Sequence, residues 1–575
     1  MKNCSLDARL SLTGRRWEWP TVPRDPEKPR SDGLPEWIGL LLQRRGVVGA
    51  EAVAQYLEPT LALLEDPHLM EDMPRAVERL LAARASGEPV VVFGDYDVDG
   101  VCATGILVEF LRSVGCRVSY YIPCRRAEGY GLNATAVTEL AVSTKLLVTV
   151  DCGITAHAEI GLARNLGMDV IVVDHHQVPE ALPPAIACLN PHRPDCGYPF
   201  KGLCAAGVAF MLAAALRRAL REAGAFRSAP EPDLRVLLDM VALATVADMV
   251  PIQGTNRVLV AAGLKRLRQS PRTGLLALCA VAKVDRALVS ATDLGFKLGP
   301  RINARGRMSQ AGQAVELMLC RDPERARVLA EELDAANEQR RSVERATVEA
   351  AASRVEAEGL TADAALVLHD PAWHPGVLGL VASRLVARFH RPALVIGEGG
   401  KGSGRSVEGV NLHAALSVAA PHLERFGGHP AAAGVTVLPE KVPALRETLA
   451  AAVRETLGCP PFAPTLRPDL EVNPAMLDLG FVEAVHKLAP FGQGNPEPLF
   501  AARGLPIRSK RVVGQTHLKL NLGDAGADAI GFGLGALHDD LPPRIDALFH
   551  VERNVYLGRV SLQLRLQDLA AAEPC

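Results

Sequence analysis

Pro89-Val-Val-Val-Phe-Gly94-Asp95-Tyr-Asp97-Val-Asp99-Gly100-Val-Cys-Ala103 is the stretch whose reading decides the fold. Val90 to Phe93 are four apolar, mostly β-branched residues, the pattern of a buried strand. The chain breaks at Gly94, three carboxylates follow at alternate positions, and a small-residue helix is predicted after Gly100. Alternate residues of an extended segment point the same way, so Asp95, Asp97 and Asp99 are expected to converge. Crowded carboxylates raise one another's pKa unless a cation lies between them, and oxygen-only clusters suit hard divalent ions. An EF-hand loop also opens Asp-x-Asp-x-Asp-Gly, but it follows a helix and needs Glu at its twelfth position, which here is Ile106.

Outward from this stretch the chain alternates strand and helix. The strand at 90–93 leads to a helix over 102–114 and a strand over 117–122. A helix over 134–142 leads to a strand over 146–150, which ends in Asp151-Cys-Gly153. A helix over 156–166 leads to a strand over 169–173, which ends in Asp174-His175-His176. Repeated βαβ units predict a parallel sheet with helices on both faces, and ligands bind at the carboxyl edge of such sheets. One Asp after a strand is commonly a helix cap, but three strand ends carrying Asp or His point to chemistry. A helix over 234–247 adds a fourth contribution, ending Val-Ala-Asp248-Met-Val-Pro251.

The 575 residues predict three or four domains. Residues 1 to about 33 are Pro- and Arg-rich and expected to be irregular, and short helices follow within an N-terminal helical region, 1–80. A catalytic α/β domain is expected over 81–315 and a connecting helix over 316–360, its charged, Ala-rich core at 322–358 reading as a spacer. A second mixed α/β domain spans 361–462, with strands at 364–368 and 393–396, a helix at 377–389, then Gly-rich loops. Short alternating segments (505–513, 517–522, 528–533, 546–551, 554–566) predict a small β-barrel over 463–575. Net charge is only −2, so a polyanion would need a local patch. Such a patch is legible from Arg503 to Lys519, where Arg508, Lys510 and Arg511 belong to five basic residues with no acidic one among them; a solvated basic face reads equally well. The 12 cysteines include no Cys-x-x-Cys pair and read as reduced thiols. Charged residues from Lys2 to Arg16 interrupt any secretory leader, no run of 18 apolar residues occurs, and a cytoplasmic protein is expected.

Gly94-Asp-Tyr-Asp-Val-Asp-Gly100, Thr149-Val-Asp-Cys-Gly153, Val173-Asp-His-His176 and Val246-Ala-Asp-Met-Val-Pro251 resemble, in order, the motifs of the DHH phosphoesterase superfamily. Within it, the chain is most similar to the RecJ family of bacterial single-strand-specific 5′→3′ exonucleases. Further matches are Ile122-Pro-Cys-Arg125, Glu128-Gly-Tyr-Gly131, Gly299-Pro-Arg-Ile-Asn-Ala-Arg-Gly-Arg307, Trp373-His-Pro-Gly376, Phe426-Gly-Gly-His429 and Pro490-Phe-Gly-Gln-Gly-Asn-Pro496. The resemblance implies a DHH domain, a DHHA1 domain and a C-terminal OB-fold. It implies Asp97, Asp99, Asp151, His175 and Asp248 as metal ligands for two ions, Mn²⁺ or Mg²⁺. Asp95 and His176 are left with three open roles: ligating the second ion, contacting the phosphate, or orienting the ligands. Asp174 is expected to hold the motif's backbone or a histidine in place.

The expected chemistry is phosphodiester hydrolysis by water activated between two ions, since no Ser-His-Asp or Cys-His arrangement supplies a covalent nucleophile. Arg301 and Asn303, in a segment without acids from Leu294 to Val315, are assigned to the DNA phosphates. Ser403 and Arg405, in the Gly400–Ser406 loop, match the family's 5′-phosphate pocket, with Arg125 closing the other side. That loop is suited to cradle a dianion with backbone N–H groups and an arginine fork. His374 and His429 are taken as further DNA contacts. The resemblance also implies single-stranded DNA, a single-strand-binding protein and a RecQ-type helicase as partners. A rival reading is a small-molecule phosphoesterase of the same superfamily, acting on dinucleotides, cyclic dinucleotides or pyrophosphate. Phe93, where the pyrophosphatase branch carries His, argues against its last form.

Overall fold

Runs of β-branched residues with no polar side build the first sheet. The computed structural model describes residues 10–18, 34–124, 128–129, 131–269, 271–308, 312–458, 460, 462–524, 526–556 and 558–572. Val90–Gly94 (β1), Val118–Tyr121 (β2), Leu146–Val150 (β3), Asp169–Val173 (β4) and Ala187–Leu189 (β5) lie parallel in the order β2-β1-β3-β4-β5. The two faces feed two cores. Val90, Val92, Val148 and Val173 pack on one side, and Val91, Phe93, Leu147 and Val172 on the other. That alternation is why these strands read as unbroken apolar runs. β5 was not legible in the sequence, being three residues long between prolines. The order reverses between β1 and β3, so the ends of these two strands flank the switch point where ligands bind such sheets.

The N-terminal helical region divides between two cores instead of forming one of its own. Met70, Met73, Ala76 and Leu80 pack with the parallel sheet, whereas Ile38, Leu41, Leu42 and Val53 pack into the C-terminal barrel. Residues 10–18, within the stretch read as irregular, hold one two-residue strand and are anchored to the C-terminal domain. Buried Asp568 accepts hydrogen bonds from Thr13 Oγ1 at 2.6 Å and Trp17 Nε1 at 2.7 Å, and Arg16–Trp17 pairs with Thr465–Leu466.

The connecting helix runs Pro323–Ala357, and its N-cap Asp322 accepts from the N–H groups of Glu324 and Arg325. It is not polar all round. Ala326, Leu329, Ala330 and Leu333 lie in the catalytic core, and Ala351, Ala352 and Val355 in the next one, so one rigid rod is embedded in both domains.

Leu366–His369 (β6), Ala393–Ile396 (β7), Lys401–Arg405 (β8), Arg425–His429 (β9) and Ala432–Thr436 (β10) form the second sheet, in the order β9-β10-β8-β7-β6. The glycine-rich loops predicted here are therefore strands. Glycine is needed for closeness: a Cβ on Gly402 would lie 2.7 Å from Val435 Cγ2, and one on Gly404 2.8 Å from Leu412 Cδ2.

Phe500–Val513 (β11), His517–Leu522 (β12), Ala527–Gly531 (β13), Arg544–Tyr556 (β14) and Arg559–Ala571 (β15) close into a five-stranded barrel through the β11–β14 pairing. β14 and β15 are longer than predicted and turn beyond Tyr556, not near residue 553. The nine described cysteines are all free, and no helix among the described residues is long and apolar enough to cross a membrane.

Candidate active site

The carboxylates gather by a route different from the one expected. Asp97 is the N-cap of a helix that begins at Val98, not after Gly100, and its carboxylate accepts from the N–H groups of Asp99 (2.9 Å) and Gly100 (3.1 Å). Asp99 therefore lies on the first helical turn, not on the extended segment. Its carboxylate accepts the N–H groups of Ala205 (2.7 Å) and Ala206 (2.8 Å) at the start of helix Ala205–Glu222, which anchors it beside His175 and Asp248. Gly100 has no room for a side chain, since a Cβ there would meet the Asp95 carbonyl oxygen at 2.4 Å. Asn303 Oδ1 accepts the Val98 N–H at 3.0 Å and fixes the same turn from outside.

Asp151 follows β3 in the left-handed region (φ 60°), a conformation that Asp tolerates better than most residues, and is 2% exposed. Asp174 follows β4 and organises its surroundings. Its carboxylate accepts from the N–H groups of Ile154 (3.0 Å), His175 (2.7 Å) and His176 (3.1 Å), and lies 2.7 Å from His176 Nδ1. Asn190, which sequence reasoning missed, donates to the His176 carbonyl at 2.9 Å; it follows β5 at the same sheet edge, and with that strand illegible no signal in the sequence pointed to it.

Three overlapping groups result, each with its ligand atoms within 4.8 Å of one another: Asp95, Asp97 and Asp151; Asp99, His175 and Asp248; and Asp151, His175 and His176. His175 Nε2 sits 3.3 Å from Asp151, 3.6 Å from Asp99 and 3.6 Å from Asp248. His175 Nε2 and Asp248 Oδ2 are buried without a hydrogen-bond partner. Buried polar atoms are rarely left so, and a cation among these donors would satisfy both. Carboxylates mixed with imidazole fit a divalent ion such as Mn²⁺ or Mg²⁺.

The electrostatics agree. Burial, then repulsion from Asp97, Asp99 and Asp95, pushes Asp151 far above the usual carboxylate range. Burial, then Asp99 and Asp97, pushes Asp248 up to about 8. Asp99 is raised by burial, with His175 opposing and Asp97 adding to the shift. Asp174 goes the other way: burial would raise it, but hydrogen bonds and the charge of His176 hold it low. His176 is raised to about 9, chiefly by its hydrogen bond to Asp174.

Comparisons with known proteins bear on this geometry. Residues 89–245 match the model described as DHH family, N-terminal domain; 362–455 match the DHHA1 domain; and 468–568 match the RecJ OB domain. The single-stranded-DNA-specific exonuclease RecJ of Dickeya dadantii (strain 3937) is 40% identical over 560 residues, covering 94% of this chain and 96% of that protein. The chain belongs to the RecJ family. The RecJ of Escherichia coli (strain K12) is 37% identical over 558 residues, covering 93% and 96%. The crystal structure of RecJ in complex with Mn²⁺ from Thermus thermophilus superposes with a TM-score of 0.82 at 31% identity, covering 97% of this chain and 79% of that one.

The remaining residues read from the RecJ motifs fall in other places. In β8 the side chains of Lys401, Ser403 and Arg405 share one face and line a cavity of about 600 Å³ with Gly379, Arg425 and Phe426. Because β8 is paired on both edges, its backbone N–H groups serve the sheet, and a cradle of backbone N–H groups is corrected to a floor of side chains. Arg405 Nη1 donates to Ser403 Oγ at 3.1 Å and to the Gly404 carbonyl at 2.8 Å. A Cβ on Gly379 would lie 2.8 Å from Arg405 Nη2, so that glycine makes room for the guanidinium. Lys401 belongs to the loop read from the sequence, whereas Arg425 was missed because only the pairing of β8, β9 and β10 brings it to the cavity. Arg125 lies outside the described residues.

Arg301 donates to Asp334 on the connecting helix at 2.8 Å and to the Lys297 carbonyl at 2.6 Å. His374 Nδ1 accepts the Gly376 N–H at 3.0 Å, and His429 is exposed on β9. On the barrel, Arg508 is bonded to the carbonyls of Gly523 and Asp524, and Lys510 donates to the His538 carbonyl at 2.7 Å. Arg503 pairs with Glu471 and Lys519 with Asp528 on the next strand, so the basic run is partly neutralised by acids outside it; Arg511 is exposed.

Proposed function

We propose that this chain is a single-stranded-DNA-specific exonuclease that hydrolyses the strand from its 5′ end to mononucleotides, in recombination and repair. The observation that carries it is the pair of orphaned buried atoms, His175 Nε2 and Asp248 Oδ2, inside overlapping Asp/His groups at the switch point of a parallel sheet. Asp97, Asp99, Asp151, His175 and Asp248, with Asp95 at the edge, would hold two divalent ions, Mn²⁺ or Mg²⁺. Such a pair supplies an activated water and neutralises the phosphate.

The protein's own groups do the rest. Asp174 and Asn190 orient the His175-His176 segment. His176, whose imidazole is held above its ordinary pKa, at about 9, chiefly by its hydrogen bond to Asp174, would turn positive charge toward the phosphate. Arg301, braced by Asp334, is within the segment assigned to the strand's phosphates. The Ser403–Arg405 cavity would take the terminal 5′-phosphate, and His374, His429, Arg508, Lys510 and Arg511 would follow the strand. The relatives' name and the OB domain support a single-stranded substrate over a small molecule. A single-strand-binding protein and a RecQ-type helicase are the partners this reading suggests, and the free cysteines accord with a cytoplasmic location.

The test is product size over time from 5′- and 3′-labelled strands, 5′ overhangs and blunt duplexes with Mn²⁺ or Mg²⁺. Early release of the 5′-labelled mononucleotide, with blunt duplex cut poorly, is expected. Release of the 3′ label first, or equal rates on blunt duplex, overturns the reading.

A further inference from the structure

The motif Pro490-Phe-Gly-Gln-Gly-Asn-Pro496 touches neither the Asp/His cluster nor the cavity, yet it grips the segment that leaves Asp248. Asp248 caps helix Leu238–Ala247, and Met249 follows with φ 59°. The next residues are held from the C-terminal side of the molecule. Ile252 N–H donates to the Gln493 carbonyl at 2.7 Å, and Gln253 Nε2 donates to the Gly494 carbonyl at 2.7 Å. Both motif glycines lie close against this segment: a Cβ on Gly492 would lie 2.5 Å from Ile252 Cδ1, and one on Gly494, whose φ is +72°, 3.1 Å from Pro251 Cβ.

The turn itself is rigid. Asn495, 1% exposed, donates to the carbonyls of Leu488 (3.0 Å) and Pro490 (2.7 Å) and accepts from Tyr56 Oη (2.7 Å) and Arg45 Nε (3.0 Å). Arg257 of the catalytic domain donates to the carbonyls of Tyr56, Leu488 and Ala489, with its guanidinium 3.7 Å from the centre of the Tyr56 ring. A second tie leads to the other side of the cluster. Asn256 Nδ2 donates to the carbonyls of Pro251 (3.0 Å) and Gly202 (2.6 Å), and Gly202 lies just before the Ala205 and Ala206 N–H groups that anchor Asp99.

We propose that the Pro490–Pro496 turn positions one half of the metal cluster: by fixing residues 251–256 it sets Asp248 and Asp99 against His175, so that docking of the C-terminal domain completes that ion site. This rests on the reading of Asp248 and Asp99 as metal ligands. The turn's bonds fall on Ile252 and Gln253, just after Asp248, and Asn256 carries them on to Gly202 beside the N–H groups that anchor Asp99. Supporting partners of ligands typically govern metal affinity by about 10- to 100-fold.

The experiment titrates the full chain with Mn²⁺ alone, read by electron paramagnetic resonance, beside its thermal midpoint and its KM for an oligonucleotide. Gly492→Ala should weaken one of the two ions by about tenfold or more and leave KM unchanged. Adding Ile252→Val, which removes the Cδ1 that the new methyl meets, should restore that ion. Gln253→Ala, which deletes one hydrogen bond and introduces no clash, should shift the same ion in the same direction and covers the case in which Gly492→Ala does not fold. Wild-type Mn²⁺ binding in the variants that fold, or loss of both ions together with thermal stability and no rescue by Ile252→Val, overturns the proposal. Asp248→Asn separates the two readings: wild-type Mn²⁺ binding in that variant overturns the ligand assignment, and this proposal with it.

Discussion

Asp151 touches more of the cluster than any other single carboxylate, belonging to two of the three groups and lying 3.3 Å from His175 Nε2. Asp151→Ala should therefore lose at least about a hundredfold in hydrolysis at ordinary Mn²⁺, as losing a ligand costs no less than losing a supporting partner. Binding to a single strand should persist, because the cavity and barrel are untouched; filter binding beside a rate assay checks both. Near wild-type rates at saturating Mn²⁺ would refute it. Asp248 adds a pH signature. Its folded pKa is pushed up to about 8, above the value of about 4 in an unfolded chain. The folded state thus holds the proton more tightly, and this stabilisation is complete below about pH 4 and lost as the pH rises to about 8. Metal-stripped protein should lose thermal stability over that window, and Mn²⁺, taking the proton's place, should bind more tightly over it. Melting curves with and without chelator check the sign, and Asp248→Asn should flatten the slope. A stripped protein whose Asp248-dependent stability grew with pH would contradict the assignment.

At the scale of the element, β8 shows how a glycine-rich run can be a strand. Gly402 and Gly404 turn their missing side chains to crowded neighbours, while Lys401, Ser403 and Arg405 line the cavity. An Arg fork on a rigid strand is a specific oxyanion ligand, and its loss removes charge-assisted hydrogen bonds worth roughly 1.5–3 kcal/mol. Arg405→Ala should therefore lower the preference for 5′-phosphorylated over 5′-hydroxyl ends by about 10- to 100-fold, with the Mn²⁺ dependence unchanged. Competition between the two ends in one tube is the measurement. An unaltered ratio would move the pocket elsewhere. The connecting helix makes a similar point: its length and charge suggested a spacer, but the short apolar stripe at each end roots it in two cores.

At the scale of the whole molecule, the first helices and the last domain are one structural unit. Ile38, Leu41 and Leu42 are fully buried among C-terminal residues such as Phe481 of helix Leu479–His486 and Phe500 and Phe549 of the barrel. Removing residues 461–575 alone would bare this apolar face, and exposed patches of that kind drive association. A chain cut to 1–460 should therefore aggregate, whereas one cut to 59–460, which loses both halves of the interface, should elute as a dispersed species in size-exclusion chromatography. Equal behaviour of the two would show that the helices do not depend on the barrel.

Legibility followed sequence separation. The parallel sheet, its buried strands and the carboxylates at their ends were readable because each depends on neighbours a few residues away: apolar runs, a glycine break, an acid. What the strand ends meant as a set followed from topology, since strands in one parallel sheet share a carboxyl edge. The sequence did not reveal that Asp99 lies on the first turn of a helix that starts early, nor that Asn190 steadies His176. It did not show that the basic run of the barrel is met by Glu471 and Asp528, or that Pro490–Pro496 clamps the segment after Asp248. Each of these pairs residues across a helix start, a strand register or hundreds of positions of chain. Local propensity carries no information about which distant backbone group will complete a hydrogen bond; only the packed tertiary structure chooses the partner.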